Sequence, residues 1–274
     1  MQTSQRVWTA PPPPPAESAL GAWWQGTTAI DTWASLAWYD IRLRYRRSLL
    51  GPWWITLSMA AMLIGLGPLY ALLFKIPVRA FFPHIATGMV FWSFLTGAIL
   101  ESCTMFAAAG GTLRNSDCPL SVVAWRCVAR NVIQLGHHML LFIPFGIWAG
   151  VPITWKTMLF LPSLLLVVVN LHATSLWLGI VCARYRDVYQ IAISLVTFMV
   201  FLTPVIWTPE SLPPEARAVL DAPLAVMLSL LREPLLGRLC TLHTWAMAAV
   251  WTAINVSLAA VVFALNRRNV VFWV

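Results

Sequence analysis

The amino-acid sequence predicts an all-α integral membrane protein, with six transmembrane helices, an N-terminal amphipathic helix at the membrane interface and two short re-entrant helices on the external side. Three observations lead there. Hydrophobic residues make up 59% of the 274 and charged residues only 10%, with a mean hydropathy of +0.75, whereas a soluble domain carries about 25% charged residues. Apolar runs of the ~20 residues needed to cross a bilayer recur along the chain. Arginines cluster where those runs end, and short arginine-rich loops stay in the cytoplasm.

Residues 1–27 are predicted to be a disordered, Pro-rich tail, because Pro11 to Pro15 form a stiff polyproline II stretch with little beside it to bury. The first long apolar run begins far beyond the reach of a cleavable signal, so the amino terminus is expected inside. Residues 28–52 read as the amphipathic helix. Ile30, Trp33, Ala34, Ala37, Trp38, Ile41 and Tyr45 recur every three or four positions, opposite Asp31, Ser35 and Arg42. Such a helix lies along the membrane face, and Gly51-Pro52 breaks it before the first span.

The remainder, 53–274, holds six apolar runs: Trp53 to Phe74, His84 to Ala108, Asn131 to Ala149, Thr157 to Cys182, Tyr189 to Trp207 and His243 to Leu265. With the amino terminus inside, the cytoplasmic pieces hold Arg6, Arg42, Arg44, Arg46, Arg47, Arg114, Arg126, Arg130, Arg184, Arg186, Arg267 and Arg268. Only Lys75, Arg79, Lys156, Arg217, Arg232 and Arg238 fall outside, so the opposite orientation is disfavoured. Trp53, Trp54, Trp148, Trp155, Trp207 and Trp245 sit at run ends, where indole rings anchor in the headgroup layer.

The cytoplasmic loop 110–130 carries mixed polarity and a short helix from Pro119 to Arg130, which reads either as a solvated connector or as a docking element. In the external segment 208–242, Pro209, Pro213, Pro214, Pro223 and Pro234 exclude one continuous helix. Leu224 to Arg232 is apolar but too short to cross, which predicts short helices that dip back from outside.

Several chemistries are missing from the sequence. It has no phosphate-binding G-x-x-x-x-G-K-[ST], no H-E-x-x-H and no G-x-S-x-G. Cys103, Cys118, Cys127, Cys182 and Cys240 show no metal-ligand spacing, and neither a metal site nor an intrachain disulfide is expected. The net charge of +8 is spread between spans, unlike the basic, aromatic-interleaved face that binds nucleic acid. Glu101 is the one acidic residue within the spans and needs a partner there. His137 and His138 lie at a similar depth on the next span, which predicts a polar lock between Glu101 and one of these histidines.

Taken together, R-Y-R-R-S-L-L-G-P-W-W at 44–54, A-R-Y-R-D-V at 183–188, T-P-V-I-W at 203–207 and A-P-L-A-V-M-L-S-L-L-R-E-P-L-L-G at 222–237 resemble the permease subunit of ABC polysaccharide exporters. These exporters move O-antigen, capsule and teichoic-acid chains. The resemblance implies a homodimer with a channel between protomers, in the bacterial cytoplasmic (inner) membrane, with both termini cytoplasmic. It implies no cofactor in this chain, with ATP and Mg²⁺ held on two copies of a separate ATPase.

It also places ATPase coupling at the cytoplasmic loops, through Arg114, Asp117, Arg126, Arg130, Arg184, Arg186 and Asp187. The cargo implied is a polyprenyl-pyrophosphate-linked glycan. Arg44, Arg46 and Arg47 suit its pyrophosphate through forked donors, and equally suit anionic membrane lipid. A sliding polymer calls for weak, exchangeable aromatic contacts, so Tyr70, Phe91, Trp92, Phe94, Phe198 and Phe201 are the lining candidates, with lipid contact or helix packing as the other reading. The alternatives are an exporter of a small molecule, or a membrane-embedded glycolipid transferase using Glu101, His137 and His138.

Overall fold

The computed structural model describes residues 18–51 and 53–274. Every regular element among them is helical. Two helices precede the spans, α1 (Ala19–Thr28) and α2 (Ile30–Arg44). The apolar runs become α3 (Trp53–Leu73), α4 (Val78–Ala108), α6 (Leu120–Ala149), α7 (Phe160–Arg184), α8 (Asp187–Leu202) and α10 (Leu242–Asn266). Shorter helices are α5 (Gly110–Asn115), α9 (Pro223–Leu235) and α11 (Val270–Trp273).

Among the described residues, five helices are long and apolar enough to cross a membrane: α3, α4, α6, α7 with its preceding turn, and α10. The expected fifth run, Tyr189 to Trp207, falls short of that length. Its helix ends at Leu202, and 16 residues rise only about 24 Å against a hydrocarbon core of ~30 Å. The cause is Pro204. Its ring disfavours helical geometry at the preceding residue, and Thr203 is extended at φ −91°, ψ 137°.

Three other expectations are revised. Of the predicted tail 1–27, residues 1–17 lie outside the described residues, but the rest is helical. Ser18 caps α1 by accepting from Gly21 N at 3.0 Å, and Ala19, Ala22 and Trp23 pack against the core. The separate helix expected at Pro119 to Arg130 is the first part of α6, because no breaker separates Leu120 from the span that follows. In the external segment only α9 is an α-helix. The prolines at 209, 213 and 214 hold the approach to it in short 3₁₀ turns, Pro209–Ser211 and Pro214–Asp221.

Helix α4 is the axis of the bundle, packed most extensively on α6 and α7 and also touching α3, α8 and α9. Its Phe81, Phe82, Ile85, Phe91, Phe94 and Leu95 are buried. Small residues permit the close approach expected of membrane helices. A Cβ at Gly179 of α7 would stand 2.6 Å from Met105 Cε and 3.0 Å from Ser102 O of α4.

A polar ladder fastens α7 to α10. Asn255 donates to Asn170 Oδ1 and Thr174 Oγ1, each at 2.7 Å, and accepts from Trp177 Nε1 at 2.7 Å. At the opposite end from the arginine-rich loops, α9 is seated among α4, α7 and α10.

Candidate functional site

The predicted charged residues resolve into two neighbourhoods, and the first is a charged junction where α2 meets the bundle. The spacing of α2 turns Ala37 and Ile41 inward, where both are buried. Asp40 lies one residue before Ile41 and turns inward with them, reaching the arginines of α6. It accepts from Arg126 Nε at 2.7 Å and also from Arg126 Nη2 and Arg130 Nη1. Burial would raise the Asp40 carboxyl, but the hydrogen bonds and charges of Arg126 and Arg130 outweigh it and hold the group below the usual carboxylate range.

Arg130 then bridges onward. Its Nη2 lies 2.7 Å from Glu101 Oε1 on α4, and the other Glu101 oxygen accepts from Asn131 Nδ2 at 2.6 Å. Among the described residues no ion pair joins Glu101 to His137 or His138, so the predicted lock has different partners. One turn sets Arg130 and Asn131 towards Glu101, while His137 donates through Nδ1 to Ile133 O of its own helix at 2.8 Å. His138 is buried among the apolar side chains of α3, α4 and α6. Arg126 and Arg130, expected at an ATPase contact, are both engaged by Asp40 in this junction.

Beside the junction lies a small cleft lined by Ile41, Arg44, Tyr45, Ile55, Glu101, Arg130, Gln134 and His137. Arg44 is half exposed and stands 3.7 Å from Glu101, a loose contact compared with that of Arg130. Arg46 and Arg47 are exposed in the turn after α2, next to the exposed Leu49, Leu50, Trp53 and Trp54. Three arginines against two carboxylates leave the junction with an excess of positive charge that Arg44 presents to the cleft.

The second neighbourhood gathers the arginine-rich turns under the bundle. Arg114 donates to the backbone oxygen of Val274. Arg184 donates to Tyr185 Oη at 2.9 Å and lies over the Trp273 ring at 5.1 Å. The short helix α11 is thus stitched to both α5 and the end of α7. Asp117, Arg186 and Asp187 are exposed around it. Arg114, Asp117, Arg184, Arg186 and Asp187 therefore share one end of the molecule with an exposed polar surface, while Arg126 and Arg130 stand apart from them.

The aromatic candidates separate by burial. Phe91 and Phe94 are 0% and 3% exposed in the core of the single chain, with Phe91 5.9 Å from the Phe160 ring, so they do not line a path at its surface. Phe91 meets α7 through that ring contact. Tyr70 stacks on Phe74 and is partly buried, as is Trp92. Phe198 and Phe201 of α8 are exposed.

Sequence reading missed the junction's centre, Asp40, and an aromatic column that anchors α1. Trp23 Nε1 donates to His172 Nε2 at 3.0 Å, Trp125 stacks on His172 at 4.1 Å, and Trp33 stacks on Trp125 at 5.4 Å. Asp40 was legible only as an inward-facing acid one residue before a buried Ile41, and the column only as tryptophans outside the spans.

The model of the ABC-2 type transporter family matches residues 32–236, from α2 through α9. An O-antigen export system permease protein, RfbA, of Myxococcus xanthus is 24% identical over 201 residues, covering 72% of this chain and 76% of that protein.

Proposed function

Because the chain belongs to the ABC-2 type transporter family and is a multi-pass membrane subunit of such a transporter, we propose that it exports a lipid-linked polysaccharide, foremost an O-antigen. It acts as a homodimer, with a channel between protomers and two ATPase subunits that carry ATP and Mg²⁺. It lies in the bacterial inner membrane with both termini cytoplasmic, which puts the charged junction at the inner headgroup layer. In this reading α8 and the extended residues after it make the sixth crossing, and α9 dips back from outside.

The observation that carries the proposal is the arginine-lined cleft between α2, α3, α4 and α6. Arg44 is held loosely there, with Arg46 and Arg47 exposed beside it. Forked guanidinium donors fit phosphate oxygens, and the flanking exposed Trp53 and Trp54 suit the headgroup layer. A polyprenyl pyrophosphate can dock its charge on Arg44, Arg46 and Arg47 at the mouth of this cleft, with its chain in lipid. The likeness to the O-antigen permease of Myxococcus xanthus favours that cargo over a capsular polymer, a teichoic acid or a small molecule. The transferase reading loses support because Glu101 is engaged by Arg130 and Asn131, away from both histidines.

Two measurements test this. Gentle purification from the native membrane is expected to bring down a near-equimolar P-loop ATPase. Deletion of the gene is expected to remove one surface glycan while its polyprenyl-linked form accumulates inside. If the surface polymers were all unchanged and no lipid-linked glycan accumulated, the glycan assignment would fail while membership of the transporter family stood.

A further inference from the structure

The segment Thr203–Trp207 is built unlike its neighbours. Thr203 and Val205 are 1% and 2% exposed, yet the helix before them, α8, buries only Ala192, and the 3₁₀ turns after them bury nothing. A loosely packed helix is therefore tethered by a short, deeply seated strap.

Two side chains hold that strap through its backbone. His84 of α4 donates from Nε2 to Trp207 O at 3.0 Å. Arg232 of α9 donates from Nη2 to Val205 O at 3.4 Å. Gly88, one helical turn from His84, makes room for both. A Cβ there would stand 2.3 Å from Val205 O and 2.5 Å from Arg232 Nη2.

Arg232 is 1% exposed, its Nε has no partner, and it forms no salt bridge among the described residues. The adjacent acid, Glu233, is paired with Arg238 at 3.9 Å. A guanidinium sealed away with one long hydrogen bond, with the carboxylates of Glu233 and Glu210 acting on it only from beyond contact distance, is costly to keep buried. Lifting the strap would return it to water or to an anionic group, so the closed arrangement is poised to open.

We propose that Thr203–Trp207 is a latch fixing α8 to α4 and α9, with His84 and Arg232 as its two catches. Releasing it frees α8, which carries the exposed Phe198 and Phe201, to move as one piece. The need for such a motion rests on the export reading above, but the latch itself is measured without transport.

The test is hydrogen exchange, read by mass spectrometry, on the full chain in lipid nanodiscs. Amide exchange reports local opening segment by segment. In Arg232→Gln and in Gly88→Ala the amides of Val205, Ile206 and Trp207 are expected to exchange at least about tenfold faster, along with those of α8. The amides of α4, α7 and α10 are expected to stay within about twofold of the parent. His84→Ala, which removes one catch and leaves the core packed, should give a smaller rise confined to the same segment. Unchanged exchange at 205–207 in Gly88→Ala and His84→Ala overturns the latch. So does an equal rise throughout the bundle, which would make Arg232 and Gly88 general packing residues.

Discussion

Trp125 and His172 lie face to face, their ring centroids 4.1 Å apart and their planes 14° from parallel. The contact joins α6 to α7, and Trp23 completes it from α1 by donating to His172 Nε2. Because that nitrogen accepts, the ring carries its proton on Nδ1. Thr27 binds the same assembly by accepting from Trp125 Nε1 at 3.1 Å. The amino-terminal helix is therefore held by directed bonds as well as by apolar burial.

Trp23→Phe keeps most of the ring area and removes the indole donor, so it should cost about 1 kcal/mol, the net worth of one hydrogen bond. Trp23→Ala also empties the site beside Phe263, 5.9 Å away, and should cost about 3–5 kcal/mol. Thermal unfolding in detergent ranks the two variants. Limited proteolysis should cut residues 18–29 faster in Trp23→Ala, and equal cutting in parent and variant would mean that α1 is held by other contacts.

Removing the Asp40 carboxylate leaves Arg126 and Arg130 facing each other without the charge that joins them. Asp40→Asn is expected to lose about 3 kcal/mol, the upper end for hydrogen bonds to a charged group, because it weakens the contacts to both arginines at a half-buried site. Arg126→Gln, which leaves Arg130 on the carboxylate, should lose only about 1.5 kcal/mol. Chemical unfolding in mixed micelles gives both values, and a cost for Arg126→Gln equal to that of Asp40→Asn would contradict the shared-carboxylate geometry.

The sign of the acid dependence follows from the same pair. The folded-state pKa of Asp40 is depressed by the two arginines against the opposing pull of burial. Its contribution is therefore complete above the unfolded-state value of about 3.9 and disappears as pH falls through the lower folded value. The stability gap between the parent and Asp40→Asn should stay constant from pH 7 to about 5 and narrow below about pH 4. A gap that held its size at about pH 3 would remove the ionic tie as its source.

How much of this was legible depends on the kind of signal. Apolar runs located α3, α7 and α10 within a few residues, because span length is fixed by the bilayer, but α4 and α6 begin well before their runs, at Val78 and Leu120, because a helix continues through polar residues beyond the hydrocarbon. The stop at Leu202 was also in the sequence, since Pro204 was visible, but hydropathy alone carries a run past a proline. Partner choice was harder to read. Glu101 was correctly singled out as needing a partner, yet depth counting favoured the histidines because it ignores the angle around the helix. Arg130 and Asn131 point at α4 and His137 does not. Phe91 and Phe94 read as lining because aromatic residues in spans suit a channel and a core equally, and only the tertiary packing around α4, which leaves them 0% and 3% exposed, separates the two.

Asn255 tests whether the α7–α10 ladder holds the helices together or merely satisfies itself. Its two amide hydrogens are shared among Asn170 O, Asn170 Oδ1 and Thr174 Oγ1, and its oxygen accepts from Trp177. Asn255→Leu strands the Trp177 indole donor and the Asn170 side-chain oxygen together, where lipid offers neither a partner. Single polar contacts between membrane helices average only about 0.6 kcal/mol. Four made by one side chain should nevertheless exceed that, and the expected loss is about 2 kcal/mol. Trp177→Phe removes one of the four and should lose about 0.6 kcal/mol. If the double variant lost no more than Asn255→Leu alone, within about 0.3 kcal/mol, the Trp177 bond acts only through Asn255, as the geometry requires. Additive losses would assign Trp177 a separate role in packing α7.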